Sequence, residues 1–180
     1  MNIFVMRHGT TVWNEKGITQ GRTNNKLSKS GIEITNKRAN EYKNVKFDVI
    51  YCSPLMRTIQ TANIMNTYHH VKVIKDFRLI EIDQGIFTGR SKDDISEEER
   101  ILKNNRDVSC GMESYMSVYN RCKDFISYIK NDSSYQNILI VTHNCNATLL
   151  ENVLLEVEVD YKNDKHLRNF SNAEIKEFKL

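Results

Sequence analysis

The chain has 180 residues, of which 39% are hydrophobic, and a formal net charge of +3 at neutral pH. This length supports one sizeable core, so we expect a single domain over residues 1–180. The weak charge, the absence of a run rich in lysine and arginine with interleaved aromatic residues, and apolar runs too short for a bilayer lead us to expect neither a nucleic-acid nor a membrane partner.

The first predicted element is a β-strand over Ile3–Met6, and Arg7 and His8 follow it directly. In an open parallel sheet, the residues just past the carboxyl end of a strand line the ligand crevice. A histidine beside a permanent positive charge at such a place indicates a phosphate site. The alternative is an ordinary strand end whose side chains are solvated.

A helix predicted over Lys29–Tyr42 leads to a second strand, Phe47–Cys52, and then to a helix over Leu55–Met65. Arg57 lies at the beginning of that last helix. Helix N-termini carry free N–H groups and the positive end of the helix dipole, which favour phosphate. The guanidinium of Arg57 adds a bidentate donor, so this segment predicts a second contribution to a phosphate site.

A third strand is predicted over Val71–Ile74. The stretch Thr88–Met112 is charged and poor in apolar residues, so we expect a solvated helical excursion there. The helix predicted over Ser114–Ile129 has one apolar face, which we expect to pack in the core.

A fourth strand, Ile138–Val141, again runs towards a histidine, His143. A helix over Ala147–Leu155 and a final strand over Ala173–Phe178 follow. This alternation of strands and helices indicates a doubly wound α/β domain. In such a domain, His8 and His143 reach the same edge of the sheet.

A series of short segments carries the strongest signal in the sequence. In chain order they are Arg7–Thr10, Thr11–Asn14, Gln20–Arg22, Leu27–Gly31, Ser53–Ala62, Leu79–Gly89 and Val141–His143. Together they resemble the motifs of the histidine phosphatase superfamily, also called phosphoglycerate mutase-like, over most of the chain. The resemblance implies a three-layer α/β/α sandwich with a mostly parallel central sheet. It also implies a helical insertion over the site at about residues 88–113, closed by a motif at Gly111–Ser114 with Arg121.

The resemblance implies catalytic roles for His8, Glu81, His143, Arg7 and Arg57. His8 would attack phosphorus as a neutral imidazole and carry a transient phosphohistidine. Arg7, Arg57 and His143 would hold the equatorial oxygens of the phosphoryl group, as a metal ion does in other phosphotransferases. Glu81 would donate a proton to the leaving alkoxide and later take one from water, and a solvated carboxylate is its alternative. No metal and no cofactor are then expected.

Four further residues are predicted to contact the phosphate or the substrate: Asn14, Gly21, Arg22 and Asn144. Asn144 marks a departure, because the family usually has one or two glycines after the second histidine and this chain has Asn144–Asn146. Asparagine accepts a positive φ better than most residues. We therefore expect the function to survive, with phosphate affinity or substrate range open to change.

Other phosphate chemistries do not fit the spacing of the candidate residues. A cysteine phosphatase loop needs five residues between cysteine and arginine, whereas four lie between Cys52 and Arg57. The histidines and cysteines of the sequence are not spaced as zinc ligands, and there is no glycine-rich Walker loop.

We therefore expect a metal-independent phosphatase, a phosphoric monoester hydrolase, acting on a small phosphorylated metabolite. Candidates are α-ribazole phosphate, a sugar phosphate, phosphoserine and a phosphoglycerate, and the sequence does not rank them. Within the family the alternative is a phosphoglycerate mutase, but typical mutases are longer, and the segment Leu79–Gly85 lacks their aromatic and basic string. The alternative of another class is a non-catalytic module that binds a phospho-ligand.

The chain enters its first strand without a signal sequence. We therefore expect a cytoplasmic location, with the four cysteines reduced. The sequence leaves open whether the chain forms a homodimer.

Overall fold

The computed structural model of this protein describes residues 1–91, 93–132, 134–157 and 170–180. In these ranges the strands are β1 (Asn2–Arg7), β2 (Val49–Cys52), β3 (Lys72–Lys75), β4 (Asn137–Thr142) and β5 (Ile175–Lys179). The α-helices are α1 (Val12–Glu15), α2 (Lys29–Glu41), α3 (Met56–Met65), α4 (Glu97–Asn104), α5 (Tyr115–Lys130) and α6 (Asn144–Leu154). Short 3-10 helices lie at Phe77–Leu79, Gly85–Phe87 and Val108–Cys110. No helix of the described ranges is long and apolar enough to cross a membrane.

The strands form one sheet in the order β3-β2-β4-β1-β5. Three of the four pairings in this order are parallel, and only β5 runs antiparallel to its neighbour β1. In the register of β1 and β4, Arg7 lies opposite Thr142. The carboxyl ends of β2, β4 and β1 therefore meet at one edge, where the next residues are Ser53, His143 and His8.

Two layers of helices cover the sheet because successive side chains of a strand point to opposite faces. Ile3 and Val5 pack with buried side chains of α5 and α6. Phe4 and Met6 pack with buried side chains of α2 and α3. The predicted three-layer α/β/α sandwich with a mostly parallel central sheet is confirmed.

The five predicted strands are all present, and two element boundaries differ for clear physical reasons. The helix predicted from Ala147 begins at Asn144, because β4 passes into α6 through His143 alone, which is the N-cap. The last strand is predicted from Ala173, but Ala173 has a φ of +58°. A left-handed residue cannot continue an extended strand, so β5 begins at Ile175.

The segment 88–113 contains α4 and one of the 3-10 helices. A capping box formed by Ser96 and Glu99 begins α4. Apolar side chains at one end of this segment and just before it form a small cluster of their own, made of Phe87, Ile95, Cys110 and Met112. Part of the apolar surface of this charged stretch is thus gathered in one place, whereas Ile101 and Val108 are exposed.

The first structural prediction concerns Gly31 in the first turn of α2. A Cβ at this position would lie 1.9 Å from the carbonyl oxygen of Thr10. Gly31→Ala should therefore lower the free energy of unfolding by about 1–3 kcal/mol, although helix propensity alone would raise it by roughly 0.5–1 kcal/mol. Urea unfolding measures whether the free energy of unfolding falls or rises in this variant. Lys37→Ala, at an exposed position of the same helix, is the control; a stabilised Gly31→Ala would contradict the close approach.

Candidate active site

His8 follows β1 directly and is 3% exposed. Its backbone N–H donates to the carbonyl of Thr142 at 2.9 Å, which ties it to the end of β4. The ring Nδ1 lies 2.6 Å from the carbonyl oxygen of Gly9. Because a carbonyl only accepts, Nδ1 carries the proton of the neutral ring and the lone pair is on Nε2. Nε2 accepts a hydrogen bond from Arg57 Nε at 3.2 Å, so the nitrogen that can attack phosphorus faces the arginine.

His143 is fully buried at the N-cap of α6. Its Nδ1 accepts from the same Arg57 Nε at 3.2 Å, and its Nε2 lies 2.7 Å from Ser53 Oγ. Because Nδ1 accepts, the neutral ring carries its proton on Nε2 and donates it to Ser53. The rings of His8 and His143 meet edge to face with their centroids 5.2 Å apart. One guanidinium N–H therefore orients both imidazoles.

Arg57 is almost completely buried near the N-terminus of α3. Its Nη1 donates to the carbonyl of Thr23 at 2.6 Å, and its Nη2 donates to the carbonyl of Gly21 at 2.9 Å. Burial lowers the pKa of Arg57 to about 10. The charge of Arg7 also lowers this pKa, and the charge of Glu81 raises it. The group is still a cation at neutral pH, and the loop after α1 fixes the plane of its guanidinium.

Arg7 is the last residue of β1, and its Nη1 donates to the carbonyl of Phe170 at 2.5 Å. Its Nε is buried and has no hydrogen-bond partner among the described residues. An unsatisfied buried donor costs roughly 1–3 kcal/mol, and an anion in the site would satisfy it. Burial lowers the pKa of Arg7, and the charges of Glu81 and Glu174 oppose this change.

The site combines neutral histidines with uncompensated cations. Burial lowers the pKa of His8 well below its usual value, and the charges of Arg57 and Arg7 lower it further. Burial does the same to the pKa of His143, again with help from Arg57. Within the described ranges, neither arginine forms an ion pair with a carboxylate. The arrangement can therefore bind an anion while the imidazole of His8 stays unprotonated and nucleophilic.

A metal site would need a different set of side chains. In the part of the chain that the structure describes, no group of three or more histidine, cysteine, aspartate or glutamate side chains is arranged to hold a metal ion. The N–H donors at this edge belong to the guanidinium groups of Arg7 and Arg57, which suit a phosphate rather than a cation.

Glu81 lies in an irregular segment between two short 3-10 helices. Its Oε1 accepts from the N–H of Ile82 at 3.0 Å. The charge of Glu81 raises the pKa of both Arg7 and Arg57, so the carboxylate is within electrostatic range of both arginines. Glu81 also lines a cavity of about 170 Å³. The other described lining residues are Ile82, Gln84, Tyr115, Asn144, Cys145 and Thr148.

Gly21 and Arg22 each contact a catalytic candidate. Gly21 has a φ of +49°, and its carbonyl is one of the two that hold Arg57. The side chain of Arg22 turns to the segment around Glu81, where its Nε donates to the Glu81 carbonyl at 3.2 Å. Its Nη2 pairs with Glu113 at 3.1 Å. The Arg22 side chain is thus engaged away from the histidines, and a backbone contact with phosphate stays a prediction.

Asn14 and Asn144 have structural hydrogen bonds. Oδ1 of Asn14 accepts from the N–H of Thr11 at 3.1 Å within the capping box of α1. Oδ1 of Asn144 accepts from the N–H of Phe170 at 3.0 Å, and Asn144 lines the cavity beside Glu81. Asn144 begins α6 and has no positive φ. The tolerance of asparagine for a positive φ is therefore not needed here, because β4 passes into the helix without a left-handed residue.

Two hydroxyl groups that the sequence analysis did not assign also support the site. Ser53 Oγ accepts from His143, and Thr61 Oγ1 accepts from the N–H of Gly9 at 3.1 Å. Thr61 lies one turn after Arg57 on α3. Both hydroxyls belong to the segment Ser53–Ala62 that carries the resemblance, and a helical projection of Arg57 and Thr61 could have found the second.

Asn146 also supports the site, and the sequence analysis did not assign it this role. It is completely buried in α6, where its Oδ1 accepts from Thr142 Oγ1 at 2.8 Å and its Nδ2 donates to the carbonyl of Arg78 at 3.1 Å. Thr142 Oγ1 also lies 2.7 Å from the carbonyl of Leu79. The residues around His143 therefore anchor the chain just before Glu81.

Known proteins resemble this chain in sequence and in fold. A family model described as histidine phosphatase superfamily (branch 1) matches residues 3–179. Phosphoserine phosphatase 1 of Hydrogenobacter thermophilus is 32% identical over 165 residues, which are 88% of this chain and 78% of that protein. The α-ribazole phosphatase structure from Shigella flexneri has a TM-score of 0.88 at 24% identity, over 100% of this chain and 91% of the other. A phosphoglycerate mutase structure from Bacillus anthracis has a TM-score of 0.81 at 24% identity, over 98% and 86%. The two structures show the shared fold.

The buried neutral histidines predict a loss of stability in acid. An unfolded histidine takes a proton below a pKa of about 6.5, whereas the lowered pKa of His8 keeps the folded ring neutral. The unfolded state then binds more protons, so stability falls as the pH falls through that value. The free energy of unfolding, measured with urea, should fall between pH 7.5 and pH 5.5 by about 1.3 kcal/mol less in His8→Gln than in the wild type.

Asn40→Ala changes an exposed side chain that has no ionisable group and is the control for this experiment. It should retain the pH dependence of the wild type. An equal pH dependence in His8→Gln and in the wild type would show that His8 is protonated in the folded protein.

Proposed function

The chain belongs to the histidine phosphatase superfamily (branch 1) and is a phosphatase, and we propose that it hydrolyses a small phosphomonoester through a phosphohistidine on His8. One observation carries the proposal. The Nε2 lone pair of a neutral, buried His8 faces Arg57, and neither the buried Arg57 nor the half-buried Arg7 forms an ion pair with a carboxylate among the described residues. An anionic phosphate is the ligand that such a site stabilises most, and Nε2 is the nucleophile it meets.

In the proposed first step, Nε2 of His8 attacks phosphorus, the P–N bond forms, and the bond from phosphorus to the ester oxygen breaks. The Nδ1–H bond to the Gly9 carbonyl keeps the ring proton away from the attacking nitrogen and stabilises the charge that the ring gains. The Nε–H of Arg57 must first leave Nε2 and turn to a phosphoryl oxygen. The carbonyls of Gly21 and Thr23 hold the rest of the guanidinium in place during this exchange.

Three groups would hold the phosphoryl oxygens. The unpartnered Nε–H of Arg7 and the Nε–H of Arg57 are the available donors. His143 presents Nδ1 as an acceptor in the free site. A bound phosphate dianion offsets the charge of Arg57 and raises the pKa of the ring, so we infer that His143 takes up a proton and then donates from Nδ1. No metal ion enters this scheme.

Glu81 would complete both half-reactions as acid and base. It gives a proton to the ester oxygen as the alcohol leaves. It then takes a proton from the water that attacks phosphohistidine, the P–N bond breaks, and phosphate and neutral His8 result. The cavity of about 170 Å³ beside Glu81 would receive the leaving alcohol and restrict it to a small group.

Activity on a panel of phosphate esters would identify the substrate. Phosphoserine comes first, because a relative that is 32% identical over most of both chains is a phosphoserine phosphatase. α-Ribazole phosphate, sugar phosphates and phosphoglycerates complete the panel. Transfer of phosphate to a second hydroxyl without net release would indicate the mutase alternative, and phosphate binding without turnover would indicate a binding module.

The central prediction is that activity depends on His8 and not on a metal ion. Phosphate release from p-nitrophenyl phosphate should persist in excess EDTA and should fall by at least about 10³-fold in His8→Ala. The wild type quenched during turnover of ³²P-labelled phosphoserine should carry label that is lost in acid and stable in base. His70→Ala, at an exposed position, is the control. Activity that survives in His8→Ala would contradict the mechanism.

A second prediction separates Glu81 from the groups that bind phosphate. A p-nitrophenolate leaves without a proton, whereas an alkoxide needs one. Glu81→Gln should therefore lower kcat/KM for glycerol 2-phosphate by about 10²–10⁴-fold, and kcat/KM for p-nitrophenyl phosphate far less. kcat/KM is the appropriate quantity because it covers only the steps up to departure of the first product. Equal losses on both esters would assign Glu81 to phosphate binding or to folding.

A further inference from the structure

Glu113 is a second carboxylate near Glu81, and it lies where the insertion returns to the body of the protein. Its side chain is 12% exposed. Oε1 accepts from Ser117 Oγ at 2.9 Å and from Arg121 Nε at 3.2 Å. Oε2 accepts from Arg22 Nη2 at 3.1 Å. Two guanidinium groups therefore hold one carboxylate from two sides.

Glu113 also holds the acid segment, which we define as Leu79–Gly85. Its Oε2 accepts from the backbone N–H of Asp83 at 3.2 Å, and its own backbone N–H donates to the Asp83 carbonyl at 3.2 Å. Gln84 and Met112 form an isolated antiparallel bridge beside this pair. The side chain and the backbone of Glu113 thus fix the position that lies two residues after Glu81.

A second connection runs through Arg22. The guanidinium that binds Glu113 through Nη2 also donates from Nε to the carbonyl of Glu81 at 3.2 Å. Its Nη1 lies 3.6 Å from Asp83 Oδ2. The charge of Glu113 therefore sets the position of Arg22, and Arg22 in turn contacts the backbone of Glu81 itself.

Environment distinguishes the two carboxylates. Burial alone would raise the pKa of Glu113, but the hydrogen bond and charge of Arg121, the Ser117 hydroxyl and the charge of Arg22 together lower it. A carboxylate held in this way has no proton to give at neutral pH. Glu81 accepts from the neighbouring N–H of Ile82 and lines the cavity, so it is the carboxylate that a substrate can reach.

We propose that Glu113 is a positioning residue for the general acid: as a fixed anion between Arg22 and Arg121, it holds the acid segment so that Glu81 is aimed at the leaving oxygen. This inference rests on the proposed phosphatase function. A glutamine at position 113 has the same shape but no charge, and its NH2 group replaces one of the two accepting oxygens. It therefore loses either the bond from Arg121 Nε to Oε1 or the bonds from Arg22 and the Asp83 N–H to Oε2, and the bonds that remain are weaker because the acceptor is neutral. The charge, rather than the bulk, of Glu113 is what the acid segment requires.

The test compares leaving groups in Glu113→Gln. We expect kcat/KM for glycerol 2-phosphate to fall roughly 10- to 100-fold, because a small displacement of a catalytic group is enough for such a loss. kcat/KM for p-nitrophenyl phosphate should change less than about 3-fold, since its leaving group needs no proton. The double variant with Glu81→Gln should be no worse than Glu81→Gln alone, because both changes remove the same proton transfer.

A matched control is available in Glu99→Gln. Glu99 is also an insertion carboxylate paired with an arginine, Arg90, at 2.7 and 2.8 Å, but its carboxylate contacts Arg90 and the Ser96 N–H rather than the acid segment. Both esters should be hydrolysed by this variant as by the wild type. Equal losses on both esters in Glu113→Gln, or no loss on either, would overturn the positioning role.

A measurement without turnover separates this inference from the proposed function. The amide hydrogen of Asp83 donates to Glu113, so its exchange with solvent, followed by NMR, should be faster in Glu113→Gln and unchanged in Glu99→Gln. Unchanged exchange at Asp83 would overturn the positioning role even if the enzyme is active. An inactive wild type with faster exchange at Asp83 would refute the proposed function and leave the contact established.

Discussion

A single N–H group, the Nε–H of Arg57, orients the two histidines of this protein. The guanidinium that carries it is buried, and removing a cation from water is costly unless polar groups compensate. Two backbone carbonyls supply part of that compensation. Glu81 acts on this cation through its charge, but no carboxylate of the described residues forms an ion pair with it, so a phosphate is well suited to supply the rest of the compensation. Burial is the main cause that lowers the pKa of both imidazoles, and the charge of Arg57 lowers it further, so the cation that would bind phosphate also favours a neutral, nucleophilic His8.

The order and register of the strands bring Arg57 and the two histidines together. β1 and β4 are parallel neighbours and end in register. Strand pairing alone therefore brings the residues that follow them next to each other. β2 lies on the other side of β4 and delivers α3, from which Arg57 reaches both rings. The acid segment follows β3, at the end of the sheet order, and is not fixed by strand pairing. It is held instead by polar contacts with Arg22, Arg106 and Glu113.

The sequence predicts best what depends on local pattern and strand order. The strands, their alternation with helices, and the placement of His8 and His143 at one edge follow from apolar runs and from the rule for parallel sheets. It predicts less well what depends on a single dihedral angle or on two distant segments. The left-handed Ala173 and the early beginning of α6 shift element boundaries. The bond between Ser53 and His143 joins residues 90 positions apart, so no local pattern could reveal it.

The insertion has a small apolar cluster of its own, built around Phe87 and Met112, apart from the two clusters that pack against the sheet. Its described connections to the acid segment are largely ion pairs and hydrogen bonds. Substitutions on the insertion can therefore accumulate without repacking the main core. Such independence uncouples sequence drift in the insertion from the packing that holds the two histidines in place.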